Sequence, residues 1–218
     1  MIENVGLVSV LMAVYNTKFA LVKRALDSIF NQTYSNIEII VMDDGSENEC
    51  LHKLVDYAKL YEHRITFLQH KNVGQSISIN RAVAKSKGKY ITILDADDEY
   101  EKNHVELCLI EMKKHDLIAS TTKTIVTSEK DYFVTDKHDA SKLIHVDDCI
   151  LFATLFGKRA VFTTLKFEDK YAADANFYEL AQEHFLVKKV NLRSYVYYRN
   201  NPDSITAKMK EATEEERV

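Results

Sequence analysis

The chain has 218 residues and a formal net charge of −4, enough length for one domain with a large core. The acidic balance argues against a nucleic-acid partner held through its phosphates, and no apolar run approaches the ~18 residues of a membrane span. Cys50, Cys108 and Cys149 are odd in number, widely spaced and in no metal-ligand pattern. They read as reduced residues of a cytosolic protein, and the N-terminus shows no signal-peptide pattern.

Val8 to Val14 reads as a strand buried on both faces. Leu21/Ala25/Ile29 and Val22/Leu26/Phe30 then recur at four-residue spacing, which predicts an amphipathic helix. Ile37 to Met42 is a second buried strand, closed by Asp43-Asp44-Gly45-Ser46. Leu51, Leu54, Val55 and Ala58 mark the next helix, Ile65 to Leu68 a third strand, and Ile77 to Lys85 a third helix stopped near Gly88. Tyr90 to Leu94 is the fourth strand, and helical spacing returns at Val105, Leu109 and Met112. Alternation of this kind predicts an α/β fold with a doubly wound, mainly parallel sheet flanked by helices.

In such a sheet, ligands lie beyond the carboxyl ends of the strands. Tyr15-Asn16 follows strand one, Asp43-Asp44 strand two and Asp95-Ala96-Asp97-Asp98 strand four, so all three motifs fall on one edge. Asp95, Asp97 and Asp98 repel one another, and gathering them at a strand end suits a hard divalent cation, Mn²⁺ or Mg²⁺, that also holds a diphosphate. Tyr15-Asn16-Thr17-Lys18 is neither a dinucleotide-type nor a P-loop phosphate cradle. A diphosphate here would need the metal.

The ordered set resembles family 2 glycosyltransferases, inverting enzymes with the nucleotide-sugar-binding GT-A fold. Its members are Val8–Asn16, Ser28–Tyr34, Ile39–Ser46, Asn72-Val73-Gly74 with Asn80, Gly88–Ile91, Asp95–Asp98, Phe156–Phe167, Asp174 and Tyr197–Thr206. The resemblance implies one domain over 1–207, with a nucleotide-binding half to 100, a smaller acceptor-side half from 101, and a charged tail over 208–218. It places Ala13, Val14 and Tyr15 around the base, with the Tyr15 ring against it, and Asp44 as acceptor of a uracil N3–H. Asp43 reads as a turn former. Gly74 either lets the backbone approach the nucleotide or starts a helix. Asp95 and Ala96 would face the donor, Asp95 and Asp97 the metal, and Asp98 would cap the next segment or orient the sugar.

The family's base is a carboxylate at a helix start after a Phe-rich lead, which points to Asp174, with Glu168 and Asp169 as alternatives. Ala173 stands where the family has an acidic residue, and an N-cap for a helix over Asn176–Phe185 is the bland role for Asp174. Arg199 would balance the diphosphate or form a sheet-edge salt bridge. Asn200 and Asn201 occupy the place where related enzymes supply a late His ligand, while His104, His115 and His145 read as surface or packing residues. Residues 120–148 fit no family motif and are where acceptor contacts are expected. The implied activity is transfer from a UDP-sugar to a saccharide or glycosylated acceptor, in bacterial surface polysaccharide or glycoprotein glycan synthesis. That expectation includes no nucleic acid, a cytoplasmic enzyme with peripheral contact at the inner membrane face, and a homo-oligomer from the charged C-terminal segment. The competing readings are a catalytically silent nucleotide-sugar-binding subunit and a sugar nucleotidyltransferase.

Overall fold

A computed structural model describes residues 5–139 and 141–200. The expected closing segment from Asn201 and the tail over 208–218 therefore lie outside the described residues. The first half alternates as the periodicity predicts: β1 (Val8–Val14), α1 (Phe19–Phe30), β2 (Ile37–Asp43), α2 (Cys50–Leu60), β3 (Ile65–Gln69), α3 (Gln75–Lys85) and β4 (Tyr90–Ile93). A two-residue strand β5 (Glu99–Tyr100) and α4 (His104–Glu111) follow. The second half adds β6 (Leu117–Ile125), β7 (Phe133–Thr135), β8 (Leu143–His145), β9 (Leu155–Lys158), α5 (Arg159–Thr164), α6 (Ala173–His184) and β10 (Val187–Tyr198).

Eight strands form one sheet in the order β3-β2-β1-β4-β9-β6-β10-β5, and β7-β8 form a separate pair. β1 pairs in parallel with β2 on one side and β4 on the other. Strand order reverses there, which is where an open α/β sheet binds ligands. Parallel pairing also joins β2 to β3 and β6 to β10, whereas β9 runs antiparallel between β4 and β6, and β5 antiparallel beside β10. The sheet is thus mixed but mainly parallel. Local periodicity finds a strand but not its direction, so β9 could not be placed from sequence.

Alternation along β1 explains the two cores. Val8, Val10, Met12 and Val14 pack with α1, α2 and α4, while Leu11 packs on the other face with α3, α5 and α6. Fully burying one such side chain is worth about 1.5–3 kcal/mol, so the register of this central strand is firmly set. The first cluster contains both Val8 and Tyr195, so the two halves of the chain share one core.

Candidate functional site

The ends of β1 and β2 are tied into one unit. Asp44 N–H donates to the Val14 carbonyl at 2.7 Å, and Asn16 N–H to Ser46 Oγ at 2.9 Å. Asn16 takes a left-handed φ of 49°, and its Oδ1 accepts from Glu47 N–H at 3.0 Å. Gly45 sits at φ +79°, where an added Cβ would lie 2.7 Å from Asn72 N, so the loop over 70–74 can close only on a glycine.

Asp44 draws that loop in. Its Oδ1 accepts from Val73 N–H at 2.8 Å and its Oδ2 from Gly74 N–H at 2.9 Å, in a nearly buried position. These fill two of the carboxylate's roughly four acceptor sites, and His70 Nδ1 lies 3.4 Å from Oδ1, leaving capacity for a further donor. Asp43 is the turn former: its Oδ2 accepts from Ser46 N–H and Gln69 Nε2, and its Oδ1 is buried without a partner among the described residues. Gly74, at φ 90°, precedes the first residue of α3, so the helix-start role is real. Asp44→Asn should cost about 1–3 kcal/mol of stability, because its amide would face one of two buried N–H donors. Urea unfolding with an unshifted midpoint would show the clasp to be dispensable.

Tyr15 presents an exposed ring at the mouth, 53% accessible, while Val14 is buried and contributes its backbone. Ala13 is half-buried against the second core cluster, and Ala96 packs into the first. The acidic motif after β4 turns tightly, with Asp98 N–H donating to the Asp95 carbonyl at 3.2 Å. Asp98 faces inward. It accepts from the Tyr195 hydroxyl and, at 2.7 Å, from Tyr198 N–H, so it ties β10 to the motif. Burial, reinforced by Asp95 and Asp97, holds its carboxyl well above the usual range. Arg24 donates to the Asp97 carbonyl and lies over the Tyr198 ring at 3.8 Å.

Asp95 is oriented by Gln75 Nε2, which donates to its Oδ1 at 2.9 Å. Burial, then the charges of Asp97 and Asp174, push its carboxyl up to about 7. Burial is the leading cause, and the neighbouring carboxylates add to it. The donor chemistry fits a hard divalent cation: Asp95 and Asp97 supply two carboxylates. Among the described residues no group of three or more His, Cys, Asp or Glu side chains could hold a metal, so phosphates and water would complete the shell.

Asp174 comes from the opposite half. Asn80 clasps the lead-in, donating from Nδ2 to the Phe167 carbonyl at 2.7 Å and accepting from Phe167 N–H at 3.1 Å. Phe167 stacks on Phe177 of α6 at 4.1 Å, and Phe162 stacks behind at 5.4 Å. α6 starts at Ala173, not Asn176, so Asp174 lies in its first turn and is not the N-cap. Its Oδ1 accepts from Ala175 N–H at 2.8 Å, and burial raises its carboxyl above the usual range. Glu168 is exposed and paired with Lys170. Asp169 is also exposed, although its Oδ1 would lie 3.3 Å from a Cβ on Gly74.

Arg199 rests beside the Tyr197 ring with its Nε buried and unpartnered, and no carboxylate among the described residues pairs with it. The sheet-edge salt bridge is therefore not formed there. His104 is fully buried against Tyr100 and Ser194, confirming a packing role. Sequence reasoning missed Gln75, Arg24 and Tyr195, which act through contacts 20, 73 and 97 residues away in the chain.

The chain matches the model of "Glycosyl transferase family 2" over residues 9–171. Glycosyltransferase GlyA of Streptococcus pneumoniae is 36% identical over 99 residues, covering 45% of this chain and 14% of that protein. A chondroitin synthase of Escherichia coli is 37% identical over 113 residues, covering 52% of this chain and 16% of the relative. The chain thus spans a small part of the curated relatives it matches. Among solved structures, Staphylococcus aureus TarS 1–349 in complex with UDP-GlcNAc aligns with TM-score 0.71 at 17% identity, covering 93% of this chain and 60% of TarS 1–349. The mannosyltransferase PcManGT of Pyrobaculum calidifontis, in complex with GDP-Man and Mn²⁺, aligns with TM-score 0.68 at 18% identity, covering 88% of this chain and 56% of its own. With its fold shared by these structures and three quarters of its length inside the family model, the chain belongs to glycosyl transferase family 2 and has the GT-A fold.

Proposed function

We propose that this protein is an inverting glycosyltransferase that moves a sugar from a UDP-sugar to a hydroxyl of a saccharide or glycosylated acceptor. What supports this reading is the acidic pair Asp95 and Asp97 beyond β4, with Gln75 orienting Asp95, together with Asp174 in the first turn of α6, whose charge adds to the upward push on the Asp95 carboxyl. A carboxylate at a helix start and a carboxylate pair suited to a metal-diphosphate are the parts such a transfer needs. Residues 1–100 supply the nucleotide-binding half and 101–207 the acceptor-side half.

In this reading the base lies against Tyr15, and Asp44 offers its remaining acceptor capacity to a ring N–H next to a carbonyl. Uracil and guanine carry such a donor and cytosine does not, so Asp44 excludes cytosine by chemistry. A divalent cation held by Asp95 and Asp97 would offset the charge of the leaving diphosphate. Asp174 takes the proton of the acceptor hydroxyl as its oxygen bonds to the anomeric carbon. The bond from that carbon to the diphosphate breaks, and UDP leaves with the electron pair. Arg199, a cation without a carboxylate partner among the described residues, supports the same charge. A role in bacterial surface polysaccharide or glycan synthesis accords with this chemistry, as does a cytoplasmic enzyme working at the membrane face. A homo-oligomer is part of the same proposal. Among the described residues no helix is long and apolar enough to cross a membrane.

The direct test is UDP release from a panel of UDP-sugars with Mn²⁺ or with EDTA, alongside competition by UDP, GDP, CDP and ADP. Metal-dependent release with UDP as best competitor is the expected result. GDP binding best would overturn the donor assignment. Tight UDP binding with no release from any donor would favour the silent binding subunit. The sugar nucleotidyltransferase reading needs a phosphate-cradling loop after β1, and the chain there is Tyr15-Asn16-Thr17-Lys18.

A further inference from the structure

We propose that Lys137 is a positioning residue: it locks the β7–β8 hairpin to the start of α6 and so holds the turn that aims Asp174. This rests on the glycosyl-transfer reading above. The hairpin belongs to the stretch over 120–148 where acceptor contacts are expected, and it stands apart from the main sheet. Its connection is ordered by Asp136, whose Oδ1 accepts from His138 N–H at 2.6 Å and Asp139 N–H at 3.0 Å. That local turn presents Lys137 to α6.

Lys137 Nζ donates to Asn176 Oδ1 at 2.9 Å and lies 2.6 Å from Glu179 Oε2. The Lys137 side chain is only 16% exposed, against 51% for Glu179. An exposed lysine–glutamate pair would be worth little, but a lysine side chain this well covered has few other positions in which to leave its partners. The amide partner is the informative one. Asn176 Nδ2 donates to the Tyr171 carbonyl at 3.2 Å, and Asn176 N–H to the Ala172 carbonyl at 2.9 Å.

Between those contacts lies Ala172, left-handed at φ 53° and ψ 41°. A non-glycine residue there carries roughly 1–2 kcal/mol of strain, so the surroundings must impose the conformation. That residue swings the chain from the exposed loop into α6, and Asp174 follows two positions later. Lys137 holds Asn176, Asn176 spans the strained turn, and the turn sets the direction of the carboxylate. Misplacing a reacting group by ~1 Å can cost up to about 10²-fold in rate. The hairpin is thereby coupled to the base, and a change in this loop would be felt at Asp174.

The test uses the full chain, Mn²⁺ and the UDP-sugar that wild type hydrolyses fastest, with water as acceptor so that the natural acceptor need not be known. Lys137→Met should lower kcat about tenfold, with KM for the UDP-sugar and UDP affinity unchanged, and Lys137→Arg should recover most of it. Asn176→Ala should have a similar effect, and the double variant should be no slower than the slower single one. Hydrogen exchange at the amides of 172–176 should be faster in Lys137→Met than in wild type. Unchanged kcat in a folded Lys137→Met, multiplicative losses in the double variant, or unchanged exchange would each overturn the proposal. If wild type releases no UDP from any donor, the glycosyl-transfer reading fails, whereas the exchange result still decides the positioning role.

Discussion

Asp174→Asn should lower turnover by about 10²-fold or more while leaving UDP affinity nearly unchanged. Asparagine keeps the side-chain oxygen that accepts from Ala175 N–H, so the first turn of α6 retains its local bond. What it loses is the ability to take a proton. A second readout is the acid limb of the rate profile. Only ionised Asp174 can act as base, and burial raises its carboxyl, so the wild-type rate should fall at higher pH than an ordinary carboxylate would give. The part of that limb due to Asp174 should be lost from the residual activity of the variant. Full activity in Asp174→Asn beside an inactive Asp169→Asn would move the base to the loop residue next to Gly74. A thermal melt that collapses in Asp174→Asn would instead mark the carboxylate as a structural element of the helix start.

Much of the donor side was legible because it is local. Each motif ends a strand whose apolar run is unmistakable, and β-α alternation alone places Tyr15, Asp44 and Asp95 on one edge. Asn80 could be singled out only by resemblance, and its reason is the two-way hydrogen bond to Phe167, 87 residues away. Other features depend on pairing across distance. β9 is a short Leu-Phe-Gly-Lys segment with nothing to mark its direction until it is seen to run antiparallel between β4 and β6. Asp98 looks like one more ligand in an acidic run, yet it faces Tyr195 and Tyr198 of the last strand. The start of α6 misled by three residues because no glycine or capping side chain announces it; an alanine takes the left-handed turn. The hairpin was unreadable since its strands have three residues each, too few for any period to show.

Asp97→Ala should remove most of the metal dependence of UDP binding. Asp95 and Asp97 are the carboxylate pair at the end of β4, and no larger ligand group exists among the described residues to replace one of them. The β1–α1 turn offers no glycine cradle, so a diphosphate at this edge meets mainly like charge from Asp95, Asp97 and Asp174. In wild type, calorimetry should therefore show UDP binding with Mn²⁺ that weakens at least about tenfold in EDTA, the scale expected for losing one charged interaction in a partly buried site. In Asp97→Ala the Mn²⁺ and EDTA titrations should nearly coincide. Arg24 binds the Asp97 backbone carbonyl and Asp98 keeps both tyrosine contacts, none of which uses the Asp97 side chain. A thermal melt of the variant beside wild type separates loss of the cation from loss of the fold. Equal UDP affinity with Mn²⁺ and EDTA in the wild-type protein would show that the nucleotide is held without a metal. Arg199 would then be the candidate for the charge opposing the diphosphate, and Arg199→Gln should weaken UDP binding.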